Sequence, residues 1–380
     1  MSILRSDALF EPLNLRSTKI ANRITMSAMS RYHSPGGVPG ENVSAYYRRR
    51  AEGNVGLILT EGTGIEHSLA LDNDNIPVMY GENALAGWKR VVDAVHDAGG
   101  KIFPQLWHQG VLRGSFGADL SQSVGMRPSG IWGPVGKHSF KPEYVEKITV
   151  PTQPMTESEI ADVILAFGRS AANAAKIGFD GIAIHGGHGY LIDSFLWEGT
   201  NRRTDKYGGS RRARTLFAVE LVRAIREGAG DDLPIVFRFS QHKQQDYFAR
   251  LADTPAELEE VLGPLADAGV DVFDASTRYF DEPAFEGSDL NLAGWAKKVT
   301  GKMSMAVGSV GLGNRLEDSF KSGVSEAQKN LPEAIRRFLN GEFDLLGVGR
   351  ALIADPLFAQ KVKSGESFLQ FDKKSLLELV

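Results

Sequence analysis

The sequence predicts an α/β protein folded as a single (β/α)8 TIM barrel over residues 1–380, with a long lid excursion after strand 3. Three observations predict it. Eight short apolar runs alternate with helical patterns, as parallel βα units require. Several runs end in Gly, His, Ser or Arg, residue types that gather at the C-terminal ends of barrel strands. The alternation is broken once, by a stretch rich in Gly, Pro, Ser and aromatic residues between the third strand and its helix.

Residues 22–29 (NRITMSAM) read as the first strand, and 42–52 as a helix capped by Asn42 or Ser44. Residues 55–61 (VGLILTE) form the second strand, ending before Gly62. Residues 83–98 carry apolar positions at Leu85, Trp88, Val91, Val92 and Val95, a helical period. Residues 101–107 (KIFPQLW) are the third strand, although Pro104 inside it is unusual for a ladder. No helix is evident from His108 until Thr156, where Thr156 and Glu159 make a capping box for a helix to about Lys176. The remaining strands are 180–184, 233–239, 270–276, 302–307 and 343–348. The helices between them are 211–227, 254–268, 290–299 and 333–340, with short helices closing the chain.

Composition narrows the function. A hydrophobic fraction of 42% supplies a sizeable core, and a net charge of −4 argues against nucleic-acid binding. The chain has no cysteine, which excludes disulfides, thiolate catalysis and Cys-ligated zinc or iron–sulfur sites. The N-terminus carries no signal pattern, and no apolar run is long enough for a membrane span. The expectation is a soluble cytoplasmic enzyme, monomer or homodimer, whose partner is a small molecule.

The chemistry concentrates after the fourth strand. His185 and His188 stand three apart among Gly186, Gly187 and Gly189, and Tyr190 follows at once. Titratable side chains just past a buried strand mark a site. A second cluster, NRRTD and YGGS over 201–210, reads as a structured turn into the next helix. The seventh and eighth strands end in VGSVG and GVGR, where Gly308, Ser309, Gly349 and Arg350 suit a phosphate: backbone N–H groups come close and Arg350 supplies a charged fork.

HGGHGYLIDSFL…NRRTDKYGGS, NRITMSAMSR, QLWHQG and DLLGVGRALIADP together resemble the signatures of the old yellow enzyme family of FMN-dependent oxidoreductases, in the expected order and over nearly the whole chain. The resemblance implies one barrel binding FMN non-covalently, reduced by NADPH or NADH. It implies that Ala28, Met29 and Ser30 lie against the pyrimidine edge of the flavin, and that Gly62 and Gln105 contact the ring. Arg238 would place positive charge near N1, and Gly308, Ser309, Gly349 and Arg350 would hold the phosphate. His185 and His188 would bind the carbonyl or nitro oxygen of an activated alkene, as neutral rings or cations, with His185 also beside the flavin. Tyr190 would deliver a proton to the α-carbon. The activity implied is ene-reduction of α,β-unsaturated carbonyl or nitro compounds.

Other readings stand beside it. A metal at His185 and His188 lacks further ligands at suitable spacing. Arg238 could be a structural ion-pair residue. Trp197 and Glu198 replace a proline-bearing segment common in the family, and could suit a cation; this keeps open an FMN-dependent dehydrogenase or demethylase of N-methylated amines or betaines. A zinc hydrolase would want His-x-His where Met29, Ser30 and Arg31 stand. His33, His67, His96, His138 and His242 are expected in loops or on solvated faces, with His138 alone a candidate for the pocket. Arg48, Arg49 and Arg50 are expected on a solvated helix face. The insert 314–330 is polar and has no assigned role.

Overall fold

The computed structural model describes residues 6–114, 125–313, 324–325 and 330–380. Eight parallel strands close into a barrel: β1 (Ile24–Met26), β2 (Leu57–Gly64), β3 (Ile102–Trp107), β4 (Ile182–His185), β5 (Ile235–Phe239), β6 (Val272–Ser276), β7 (Met303–Val307) and β8 (Leu345–Val348), with β8 returning to β1. All eight expected strands are present. Pro104 is tolerated in β3 because its partner strand is irregular there. Phe103 pairs with Leu59 and Gln105 with Gly62, so β2 bulges where a ladder N–H is missing.

Leu57, Leu59, Phe103, Ala183, Val236, Val272, Met305 and Leu345 fill the barrel interior. Leu15 and Ile20 join them from an N-terminal hairpin, Leu13–Leu15 against Thr18–Ile20, too short to be read from the sequence. Seven longer helices are described around the barrel: α1 (Glu41–Glu52), α2 (Glu82–Asp97), α3 (Glu157–Lys176), α4 (Arg211–Ala229), α5 (Pro255–Ala268), α6 (Leu292–Thr300) and α7 (Leu331–Leu339). The capping box at Thr156 and Glu159 is formed, and Thr254 caps α5 through the N–H of Glu257. No described helix is long and apolar enough to cross a membrane.

Several expectations need correction. The N-cap of α1 is Gly40, so Asn42 and Ser44 lie inside the helix. Arg50 is not solvated: it is fully buried, stacks 3.7 Å from the centroid of the Tyr46 ring, and donates to the carbonyls of Leu352 and Ile353. The lid excursion is not helix-free, since Pro142–Ile148 is a short helix. Trp132, Tyr144 and Ile148 pack with Trp107, Val111, Leu112 and Tyr190 in one apolar cluster. Arg127 closes the excursion by donating to the carbonyls of Ile148 and Val150. Residues 115–124 of the excursion and all of the 314–330 insert but 324, 325 and 330 lie outside the described residues.

Candidate active site

The C-terminal ends of β4, β5 and β6 set the site by register. His185 on β4 pairs with Arg238 on β5, which pairs with Asp274 on β6. In a parallel barrel, residues at one register form a layer, so these three side chains meet at one level. After His185 the chain turns through Gly186 and Gly187. A Cβ on either would strike neighbours, at 2.3 Å from the Phe237 ring and at 3.0 Å from the Phe239 and Ser240 backbone. His188 then takes a left-handed conformation, φ 63°, held by Ser240 Oγ on its N–H at 2.8 Å. Tyr190 ends the turn and begins the short helix Leu191–Leu196.

His188 Nδ1 and His185 Nε2 are 3.4 Å apart, and His188 Nε2 is 2.9 Å from Ser276 Oγ. The Tyr190 ring packs edge-on against His185 with centroids 4.7 Å apart, and Trp107 closes a three-ring cluster, stacked on His185 at 5.9 Å and edge-on to Tyr190 at 4.9 Å. Burial holds both imidazoles neutral: it pulls His185 down to about 3, with Arg238 adding to it, and pulls His188 well below its usual value. The sequence left the cationic form open; burial removes it. Burial also raises the Tyr190 phenol above its usual range, so it stays protonated.

Arg238 has two roles at once. Its Nε pairs with buried Asp274 at 2.6 Å, while its other nitrogens donate to Ser27 Oγ at 2.6 Å and the Ala28 carbonyl at 3.2 Å. The guanidinium still borders a cavity of about 400 Å³. Ala28, Met29, His188, Arg238, Gly308, Ser309, Gly349 and Arg350 all border that same space. Ser309 is left-handed (φ 55°), and its hydroxyl donates to the Arg278 carbonyl while Arg350 reaches it at 3.3 Å. Asn330 staples this turn, donating to the Ser309 carbonyl and accepting from the Gly311 N–H.

The remaining candidates sit differently. Ser30 does not border the cavity; its hydroxyl lies near the Tyr32 phenol. Gly62 is covered by Trp107, since a Cβ there would lie 2.5 Å from the indole. Gln105 is buried, and its Nε2 has no hydrogen-bond partner among the described residues. His138 packs among Trp132 and Phe140 and not in the cavity. His242, expected in a loop or on a solvated face and outside the pocket, lies in a loop but borders the cavity, with its ring 5.1 Å from His188. Ser27, Ser276, Arg278 and Asn330 were also missed. Of these, Ser27 and Ser276 could have been flagged as hydroxyls at strand ends, whereas Asn330 gave no local signal.

The 201–210 cluster is structural, as expected. Asn201 donates to the carbonyls of Phe195 and Tyr207, and Arg203 ties Asp205 to the Pro128 carbonyl of the excursion. Trp197 packs on Gly133, and Glu198 is exposed and pairs with Arg202. Neither borders the cavity.

Residues 8–367 match the NADH:flavin oxidoreductase / NADH oxidase family. The chain is 34% identical over 94% of its length to an NADH oxidase of Thermoanaerobacter brockii, covering 51% of that protein. It is 36% identical over 59% of its length to 12-oxophytodienoate reductase 7 of Oryza sativa subsp. japonica, covering 56% of that protein. Both figures mean that the chain spans about half the length of these relatives. Among solved structures, morphinone reductase in complex with tetrahydroNAD superposes with TM-score 0.78 at 25% identity, over 97% of this chain and 93% of that one. The old yellow enzyme homologue from Zymomonas mobilis (NCR) has the same fold: TM-score 0.79, 24% identity, 97% of this chain and 96% of that one. Fold and family match thus place the chain among the barrels of a flavin oxidoreductase family. The chain belongs to the NADH:flavin oxidoreductase / NADH oxidase family, the old yellow enzyme family.

Proposed function

We propose that this barrel is an FMN-dependent NAD(P)H oxidoreductase that reduces the C=C bond of α,β-unsaturated carbonyl or nitro compounds. The observation that carries the reading is the neutral, touching pair His185 and His188 with Tyr190 packed against it.

The residues fit the cofactor. Gln105 Nε2 is a buried donor without a protein partner, which a ring carbonyl would satisfy. Gly308 lies at φ 151°, and a Cβ there would meet Thr277 at 2.7 Å, so the chain keeps this turn bare of side chain. In this reading the N–H groups of Gly308, Ser309 and Gly349, with Arg350, hold the phosphate. The backbone of Ala28 and Met29 would lie at the flavin edge and Arg238 would stand near N1, with Gly62 and Ser30 supporting the neighbouring loops. FMN, when bound, supplies hydride to the β-carbon of the substrate and takes it from the nicotinamide.

The protein's part is to hold the substrate and the proton. Two imidazoles can donate to one substrate oxygen only if each carries its proton on the facing nitrogen. For His188 that is Nδ1, which leaves Nε2 to accept from the Ser276 hydroxyl. For His185 it is Nε2. The 3.4 Å contact between the rings is the place a substrate oxygen takes, replacing a long, weak contact with two donors. Such donors stabilise the enolate charge that grows during reduction. Tyr190, kept protonated by burial, donates its proton to the α-carbon as that charge collapses.

The amine-oxidising alternative rested on Trp197 and Glu198, which pack on the excursion and pair with Arg202 away from the cavity. The test is anaerobic. The holoenzyme is reduced with NADPH and cyclohexenone is added; return of the oxidised flavin spectrum supports the proposal, and a flavin that stays reduced refutes it.

A further inference from the structure

One wall of the cavity is not used by the proposed reaction. His242, Tyr247, Thr277 and Arg278 border both the main cavity and a second one of about 230 Å³ beside it. Arg278 lies two residues past Ser276 at the end of β6, so it stands next to the histidine pair in the fold.

Arg278 is fixed on both sides. Its guanidinium lies over the Tyr247 ring, 3.8 Å from the centroid, and its carbonyl accepts from Ser309 Oγ at 2.9 Å. Tyr247 is itself held, its hydroxyl 2.8 Å from Ser139 Oγ and its N–H on the Lys137 carbonyl. Yet the charge has no match. Arg238, Arg226 and Arg337 each meet a carboxylate, and Arg50 and Arg127 are taken up by main-chain carbonyls. Among the described residues Arg278 does neither, and its Nε is buried without a hydrogen-bond partner. A stacked, immobilised guanidinium with its fork unpaired is a preorganised receptor for a planar or tetrahedral anion. Beside it, His242 is neutral and can add a donor without carrying a second charge.

We propose that Arg278, with Tyr247 beneath it and His242 beside it, is an anion subsite that binds a carboxylate or phosphate on the molecule whose reacting end lies against His185 and His188. The inference rests on the ene-reductase reading and extends it. Two molecules could bring the anion: an enone substrate bearing a carboxylate, or the phosphate of the nicotinamide reductant.

The test is Arg278→Gln in the FMN-loaded enzyme. Steady-state kinetics compare cyclohexenone with a cyclohexenone carrying a ring carboxylate, and NADPH with NADH, with FMN content read from absorbance. A lost charge-assisted fork predicts that KM for an anionic ligand rises about 10- to 100-fold while cyclohexenone changes less than about 2-fold. A rise confined to the carboxylated enone assigns the subsite to the substrate, and a rise for NADPH exceeding that for NADH assigns it to the coenzyme's extra phosphate. Equal kinetics for all four ligands overturns the proposal. So does loss of FMN from the variant, because the guanidinium would then belong to the flavin phosphate. Inorganic phosphate titrated calorimetrically into both holoenzymes separates this inference from the reading beneath it. If wild type does not turn over cyclohexenone, the ene-reductase reading fails. Tighter phosphate binding by wild type than by Arg278→Gln still supports the subsite, and equal binding refutes it.

Discussion

Two buried ion pairs flank the histidine turn, and they are built for different ends. Arg238 and Asp274 meet at 2.6 Å across paired positions of β5 and β6, and the guanidinium also borders the cavity. Lys243 and Asp193 meet at 2.7 Å with both side chains wholly inaccessible, and neither borders the cavity. The free oxygen of Asp193 accepts the Gly189 N–H at 2.6 Å, between His188 and Tyr190. Backbone next to Lys243 bonds the same turn, since Gln244 N–H donates to the His188 carbonyl. The first pair presents a charge to the cavity; the second does not reach the cavity and fixes main chain instead. In both, burial raises the carboxyl and the opposite charge pulls it back down.

That contrast is open to direct attack. Lys243→Met leaves Asp193 charged and sealed from water, so unfolding by urea is expected to show a loss of about 3–5 kcal/mol, with much of it regained in Lys243→Met/Asp193→Asn. Flavin reduction potential is expected to stay near wild type in the double variant. Arg238→Met is expected to cost less, about 1–3 kcal/mol, because water from the cavity reaches the vacated space. It is also expected to weaken FMN retention and lower the flavin potential, since a positive charge is lost. Equal potential shifts in the two variants would erase the distinction between the pairs.

The pH dependence follows from the buried imidazoles. His185 and His242 are each held near 3 in the folded protein and titrate at their usual value when unfolded. Between those values the unfolded chain binds more protons, so stability falls as pH drops below about 6.5, by roughly 1.4 kcal/mol per unit for each histidine. Glu61 opposes this. Burial raises it to about 7, so the folded state holds a proton the unfolded state lacks, and its share of stability is lost as pH rises from about 4.5 to 7. Chemical unfolding between pH 4 and 8 should therefore show a net decline toward acid; a flat profile would mean that the imidazoles titrate normally. The smallest effect expected is at Ser276. Ser276→Ala removes the hydroxyl partner of His188 Nε2, which should weaken phenol binding to the oxidised flavin enzyme by about 5- to 10-fold, near 1 kcal/mol, with FMN content unchanged.

The barrel was legible because every strand is a buried apolar run flanked by helical periodicity, and both patterns are local. So were the caps at Thr156 and Thr254. The cavity wall was legible where strand ends build it, as with Arg238 and the Gly308 and Gly349 turns. What stayed hidden depends on distant partners. Arg50 is buried because carbonyls some 300 residues away accept from it. His242 reaches His188 because the chain after β5 folds back over the β4 turn, which Lys243 and Asp193 lock from beneath. The helices Pro142–Ile148 and Leu191–Leu196 are too short for a period to declare itself. Position alone left Trp197 and Glu198 in a pocket wall or in a loop packed behind it; Trp197 turns toward Gly133 of the excursion and Glu198 toward solvent.

The central claim is that this chain holds an alkene on His185 and His188 and protonates it from Tyr190. Tyr190→Phe tests it with the two half-reactions followed separately by stopped-flow absorbance of the flavin. General acid catalysis predicts that oxidation of the reduced enzyme by cyclohexenone slows by about 100-fold or more, while reduction by NADPH stays within about 3-fold. Equal slowing of both half-reactions, or none in either, would contradict it, and would leave Tyr190 as a packing residue beneath the excursion.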